Sequence, residues 1–453
     1  MSKTPQPTAS TPYRSTFVDA LASNLLALVL FLLSADLLFL KIEGNKIKIG
    51  YLLLATLWLL RPRAMLVAAV NAIARVPWWV LIAIVPLAVS VATSVNVRNS
   101  VLWTFWAGFD LFTVLTVYAF LKAHQFTLQR VQECAVVSLG LMTFWGLLQF
   151  VFIYGLGHVV FDPQFHFDVY RINGLSGWPV FLNIFAFLLV PLVLTMERWS
   201  WPIRLVLIAL VFVLVQSTAK TGWVLFLALG ALLLVFSRGI FARRYVGFLV
   251  PVTIIALLIP TPSFESEEPP ITGTEKVVKF AADLDITNRT TSGTDRVLIN
   301  ALGLKVWQRH PLLGVGPRAY STYMYGAFDR ELPGVSKYDA NHNVIAKNEN
   351  IWVELLSENG LLFTLCFAAI LVRALWVPGW RFANPLHAGA WMALAMYFAL
   401  SGQVSQTGLL TMVYAVFGIY FYARGCTVRA TQSATDEQFV SLDTPSVLRL
   451  KHR

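Results

Sequence analysis

A chain of 453 residues that is 57% hydrophobic and only 13% charged falls outside the ordinary soluble class, where about 25% of residues carry charge. Its formal net charge of +11 does not mark a nucleic-acid binder. The basic residues fall mainly in short turns and tails between apolar runs, not on the coherent surface that phosphate backbones require. The runs approach or exceed the ~20 residues that cross a bilayer and lack the short alternation of a membrane barrel, so the expected fold is an all-α, multi-pass membrane protein.

Residues 1–16 are polar and show no small-residue cleavage pattern, so they are expected to be a cytoplasmic tail rather than a signal peptide. About twelve spans follow, roughly at 17–40, 47–60, 77–95, 101–121, 132–156, 177–196, 201–217, 221–237, 244–260, 352–373, 386–402 and 408–424. Residues 62–74 are a short apolar extra, expected as a half-helix or an interfacial segment. The organisation is thus a transmembrane region at 17–260, a polar loop at 261–350, a second transmembrane region at 351–424 and a cytoplasmic tail at 425–453. With both termini inside, the inner turns carry Arg61, Arg63 and Arg75, then Lys122 and Arg130, Arg198 and Arg204, Arg238, Arg243 and Arg244, and Arg373 and Arg381. The outer turns carry little beyond Arg98 and Arg171, with Lys41, Lys46 and Lys48 running against the pattern. That is a positive-inside distribution, and it puts 261–350 outside the cytoplasmic membrane. Cys134, Cys366 and Cys426 are odd in number and widely spaced, which gives neither a disulfide framework nor a zinc site.

The loop holds 10 Lys/Arg and 11 Asp/Glu, a net of −1, leaving +12 for the rest of the chain. It opens on an acidic, Pro-rich run, Glu265 to Pro270, expected to be irregular. From Thr294 to about Gln308, Val297/Leu298, Ala301/Leu302, Leu304 and Trp307 recur at helical spacing. Pro311 and Gly314 then end the helix. Arg296 lies on it, with Arg309, His310 and Arg318 close in sequence. Arginine suits a phosphate leaving group because its planar fork gives bidentate hydrogen bonds and keeps its proton.

Three further groups can carry chemistry. Lys220 sits in Ser217-Thr-Ala-Lys-Thr-Gly222 between two apolar spans, where a cation is expensive unless it snorkels to the interface. Glu349-Asn350 precedes the tenth span and His342-Asn343 lies seven residues earlier; either Glu349 or His342 can act as a general base. Asn350 can equally cap the coming helix. Arg171 follows Asp162, His166 and Asp168 in the turn 157–176. The spacing of His158, Asp162 and His166 serves a metal only on a helix, and Pro163 interrupts one. Tyr320, Tyr323, Tyr325 and Trp352 can stack on sugar faces or sit in an interfacial belt.

Arg296, Trp307 eleven residues on, and Pro311-x-x-Gly314-x-Gly316 together resemble the signature region of the O-antigen ligase and polymerase superfamily of bacterial membrane glycosyltransferases. The resemblance covers about 171–375. It implies a GT-C-type fold of about twelve transmembrane helices, with short helices of one large extracytoplasmic loop over the site. The implied reaction is metal-independent transfer, without a cofactor, from an undecaprenyl-pyrophosphate-linked glycan. Arg296, Lys220, Arg171, Arg318 and Tyr320 are then the donor contacts. Two positions depart from the family pattern. Lys220 stands where an arginine is expected, and Glu349, eleven residues before Gly360, stands where ligases have histidine. The second departure favours a polymerase, whose acceptor is another lipid-linked glycan and which would take a chain-length regulator as partner, over a ligase to lipid A core. A protein-glycosylating transferase is a third reading. From another class, a transporter or flippase of lipid-linked sugars would share the spans, but transporters gather polar groups near the bilayer midplane.

Overall fold

The computed structural model describes residues 17–35, 37–42, 45–161, 164–166, 169–176, 179–196, 198–217, 243–258, 292–327, 350–375 and 411–423. They are mainly helical. Among them, four stretches are long and apolar enough to cross a membrane: Phe17–Ser34, Val97–Ala123, Leu128–Gly155 and Ile351–Val372. The expected spans 221–237 and 386–402 lie outside the described residues.

Helix α1 (Phe17–Ser34) is followed by a hairpin, β1 (Phe39–Ile42) with β2 (Asn45–Lys48). Helix α2 (Ile49–Leu60) then ends at Arg61, and α3 (Pro62–Ile73) leaves it at a bend of 103°. Pro62 explains the restart, since a proline without an N–H suits the first turn of a helix. This is the short apolar extra seen in the sequence. The region 77–95, expected as one span, is instead two short pieces, α4 (Trp78–Ile82) and α5 (Ile84–Ala92). Pro86 has no N–H to close a helical bond back to Ile82.

Helix α6 (Val97–Ala123) starts on Asn96, whose side-chain oxygen accepts from the Asn99 amide, and α7 (Leu128–Phe150) starts on Thr127, which accepts from Arg130 in the same way. Beyond α7 lie one π turn at Val151–Gly155 and a second small hairpin, β3 (Gln164–His166) with β4 (Val169–Arg171). Helices α8 (Pro179–Leu194), α9 (Trp201–Ser217) and α10 (Val250–Leu258) complete the first region. The loop contributes α11 (Ser292–Arg309) and α12 (Tyr320–Ala327); α13 (Ile351–Leu375) and α14 (Thr411–Ala423) return to the bundle.

One apolar core joins α1–α3, α6–α10, α13 and α14, with Leu30, Phe120, Leu139, Phe185, Leu207 and Ile351 all buried in it. Many other apolar side chains, such as Leu66, Phe105, Leu111 and Ile255, are exposed, as lipid-facing positions would be. The polar contacts sort the helix ends into two groups. At one end, Arg61 pairs with Asp19 at 3.6 Å and donates to the Ala123 carbonyl at 3.2 Å. Arg130 there donates to Ser23 Oγ at 2.7 Å and to the Asp19 carbonyl, and Arg244 donates to the carbonyls of Leu194 and Met196. Arginines from turns far apart in sequence thus tie the same end of the bundle. At the opposite end, the Leu37 amide bonds the Leu175 carbonyl and the Ile172 amide bonds the Gln216 carbonyl.

Candidate active site

At that second end the loop is joined to a broken helix. Helix α13 is interrupted at Gly360, where φ is +73° and ψ is 178°. The break frees backbone groups that an unbroken helix would satisfy internally, and the loop takes them up. The Val315 amide donates to the Ser357 carbonyl at 3.0 Å and Gly316 to Glu358 at 2.8 Å. In the other direction Leu361 donates to the Pro311 carbonyl at 2.9 Å and Leu362 to Leu312 at 3.3 Å. The Pro311-x-x-Gly314-x-Gly316 motif is therefore the strand-like partner of the helix break. Its glycines are needed for approach as well as for φ: a Cβ on Gly314 would lie 2.3 Å from the Glu358 carbonyl, and one on Gly360 2.2 Å from Leu312 O. Trp307, the motif's aromatic, closes the turn by donating its ring N–H to the Pro311 carbonyl at 3.1 Å.

Three serines from α5, α6 and the turn between them hold the same segment. Ser90 Oγ donates to the Leu313 carbonyl at 2.8 Å. Ser100 Oγ lies 2.7 Å from both Ser94 Oγ and the Pro317 carbonyl. The Val95 amide donates to Val315 O at 3.0 Å. Sequence reasoning missed these serines because Ser90 and Ser100 act across more than two hundred residues on backbone atoms, and Ser94 acts through Ser100.

The polar residues of the first half of α13 were also missed. Glu354, Ser357, Glu358 and Asn359 are all buried, and the sequence reading gave none of them a role. Two glutamates four residues apart on one membrane helix are the signal that finds them. The Glu358 carboxylate accepts the backbone N–H of Arg318 at 2.7 Å. Asn359 is 1% exposed, and its side-chain oxygen has no hydrogen-bond partner among the described residues. Asn350 caps the helix, its Oδ1 accepting from Trp352 N at 2.9 Å.

Of the predicted donor contacts, Arg296 lies in the second turn of α11. The structure brings its helix together with Arg318 and Tyr320, since Ile299 and Leu302 of α11 pack in one cluster with Val315, Ala319 and Tyr320. Arg318 is half-buried with φ +54°. Tyr320 is 2% exposed and donates its hydroxyl to the Ile299 carbonyl at 3.1 Å, so it packs the loop. Burial, then the nearby Glu358 charge, pushes its hydroxyl pKa upward. The buried face of α11 also differs from the expected one: Leu304 is exposed, while Ile299 and Val306 are buried.

Arg171 ends β4, opposite Gln164, and is followed by a buried polar knot. Gln149 Oε1 accepts from the amides of Asn173 and Gly174 at 2.9 and 2.8 Å. Asn183 Nδ2 donates to Ser217 Oγ at 2.6 Å. This knot fixes Ile172 against the end of α9, the point from which the chain runs toward Lys220. Lys220, His342 and Glu349 lie outside the described residues. His310, which had no assigned role, is within 3.0 Å of the Tyr323 hydroxyl through its Nε2.

An apolar helical bundle with several candidate spans, one end of it polar, helix-broken and joined to a charged loop, marks a multi-pass membrane protein. Residues 184–368 match the family model described as O-antigen ligase. The matched stretch contains Arg296, Trp307 and the Pro311-x-x-Gly314-x-Gly316 motif, the residues on which the resemblance to the O-antigen ligase and polymerase superfamily was read. A search of curated proteins found no match.

Proposed function

We propose that the protein polymerises lipid-linked oligosaccharide repeat units on the periplasmic face of the bacterial inner membrane. The observation that carries this is the extent of the matched region: 184–368 takes in the Ser217–Gly222 stretch, the charged loop and the broken half of α13. In this reading the donor is an undecaprenyl-pyrophosphate glycan, and transfer is a single displacement with inversion. The acceptor hydroxyl oxygen attacks the anomeric carbon as the bond to the pyrophosphate oxygen breaks, and the electron pair stays on that oxygen. Glu349, or His342 in its place, takes the hydroxyl proton. Arg296, Lys220, Arg171 and Arg318 hold the pyrophosphate and oppose its growing charge, the kind of preorganised stabilisation that contributes most to such barriers. Residues 261–350 form the extracytoplasmic loop in this scheme, and the arginine-tied end of the bundle faces the cytoplasm.

A ligase to lipid A core is the second reading, favoured by the description of the matched family. Glutamate at position 349 favours the polymerase. A transporter is a weaker third, supported by Asp110 midway along α6, which is buried and accepts from Thr411 Oγ1 at 2.6 Å.

The test is purified protein in detergent with one defined undecaprenyl-pyrophosphate oligosaccharide and no other acceptor, products sized on a gel. A ladder of longer lipid-linked glycans is expected. Transfer only after lipid A core is added makes the protein a ligase. No transfer in either case overturns the glycosyl-transfer reading and directs the work to flipping in liposomes.

A further inference from the structure

Arg318 is the only charged residue between Pro311 and Tyr320, and its backbone is held where a residue with a Cβ is strained, at φ +54°. Three contacts fix it there. The Gly316 amide is bonded to the Glu358 carbonyl, the Pro317 carbonyl accepts from Ser100 Oγ, and the Arg318 amide is bonded to the Glu358 carboxylate. Glycine or asparagine would accept this conformation with less strain. A left-handed backbone also redirects the Cα–Cβ bond, so the strain fixes the direction in which the arginine leaves the chain.

The use made of the carboxylate is equally informative. Glu358 binds the amide of Arg318 rather than its guanidinium. Arg318 is half-buried, and its guanidinium forms no hydrogen bond or ion pair among the described residues. A half-buried cation with no partner among the described residues is suited to an incoming anion.

We infer that Glu358 is a positioning residue, whose carboxylate locks Arg318 in the left-handed conformation so that its guanidinium meets the pyrophosphate of the lipid-linked donor. The inference rests on the glycosyl-transfer reading for the identity of that anion. It adds a residue from the membrane helix to a set otherwise drawn from loops.

The test measures donor KM and kcat for Arg318→Ala, Glu358→Ala, Glu358→Gln and the double variant Arg318→Ala/Glu358→Ala. Loss of a charge-assisted contact should raise donor KM about 10- to 100-fold in both single alanine variants, with a smaller change in kcat. Glu358→Gln keeps an oxygen to accept the Arg318 amide and should recover most of that loss. The double variant should be no worse than Arg318→Ala alone. Should Glu358→Ala not fold, Glu358→Asp, one methylene short of the amide, replaces it with the same expected rise in KM. An additive double variant, a Glu358→Gln as impaired as Glu358→Ala, or a loss confined to kcat overturns the inference. If the wild-type protein makes no glycan product, the functional reading fails first. Affinity for undecaprenyl pyrophosphate itself then decides the pairing: matched losses in both alanine variants uphold it, and wild-type affinity in either overturns it.

Discussion

Gly316 and Ser94 approach so closely that a Cβ on the glycine would lie 2.0 Å from the serine Oγ and 2.8 Å from its Cα. The glycine is also at φ +105°. Ser94 in turn shares a hydrogen bond with Ser100, which holds Pro317. Gly316→Ala must therefore move the loop off the turn between α5 and α6 as well as strain its own backbone. A destabilisation of about 3 kcal/mol or more is expected, read as a lower melting temperature in detergent together with lost transfer activity. A variant that melts with the wild-type protein would mean that the contact is relaxed in solution.

Arg296→Ala should separate fold from function. Among the described side chains, α11 buries Ile299, Leu302 and Val306, and the substitution leaves all three in place. Transfer should fall by about 100- to 1,000-fold, the usual effect of removing one preorganised charge-stabilising group, with an unchanged melt. Wild-type turnover would remove Arg296 from the donor site.

The identity of the base can be read from pH. The proton acceptor must be ionised or neutral in its basic form, so activity falls as pH drops through its pKa. A carboxylate places that acid limb near pH 4 and an imidazole near about 6.5 in the absence of perturbing neighbours. Glu349→Gln should abolish transfer and His342→Gln should spare it, with the acid limb of the wild-type protein in the lower range. The reverse pattern would move the role to His342.

A second pH effect belongs to the arginine-tied end. His124 is buried between Phe120 and Phe126, and neither ring nitrogen has a hydrogen-bond partner among the described residues. Burial, with Arg61 beside it, pushes its pKa down from 6.5 to about 4. Because the folded value lies below the unfolded one, the stability gained by keeping this ring neutral is fully present above pH 6.5. It is lost as pH falls toward 4, where the unfolded chain binds a proton that the folded one refuses. His124→Leu removes the titrating group without breaking a hydrogen bond, so its melting temperature should vary less between pH 6.5 and 4. An unchanged acid dependence would place the effect elsewhere.

Much of the loop was legible in the sequence because its signals are local. Helical spacing followed by Pro311 and Gly314 announces a helix ending where α11 ends, at Arg309. The face it buries was not legible: Val306 is buried and Leu304 exposed, since a short, weakly amphipathic helix takes its orientation from the α13 surface it meets. The split of 77–95 into two short helices was written in Pro86, yet the apolar composition of the region masked it. The role of Glu358 lay in plain view on a membrane helix. Its partner, a backbone amide forty residues upstream, leaves no trace in residue types. The turn 157–176 was read without regular structure, and the hairpin at Gln164–Arg171 gives it its shape.

The interruption of α13 at Gly360 has a consequence for anyone building hybrids of this protein. A loop bounded by two membrane helices looks like a module that can be exchanged at its ends. Here residues 311–316 complete the hydrogen bonding of 357–362, and residues 90–100 complete that of 311–317. A graft that imports the loop without those two partner segments would leave the host helix with unsatisfied groups at its break. The exchangeable unit is therefore discontinuous, three stretches of chain that must travel together.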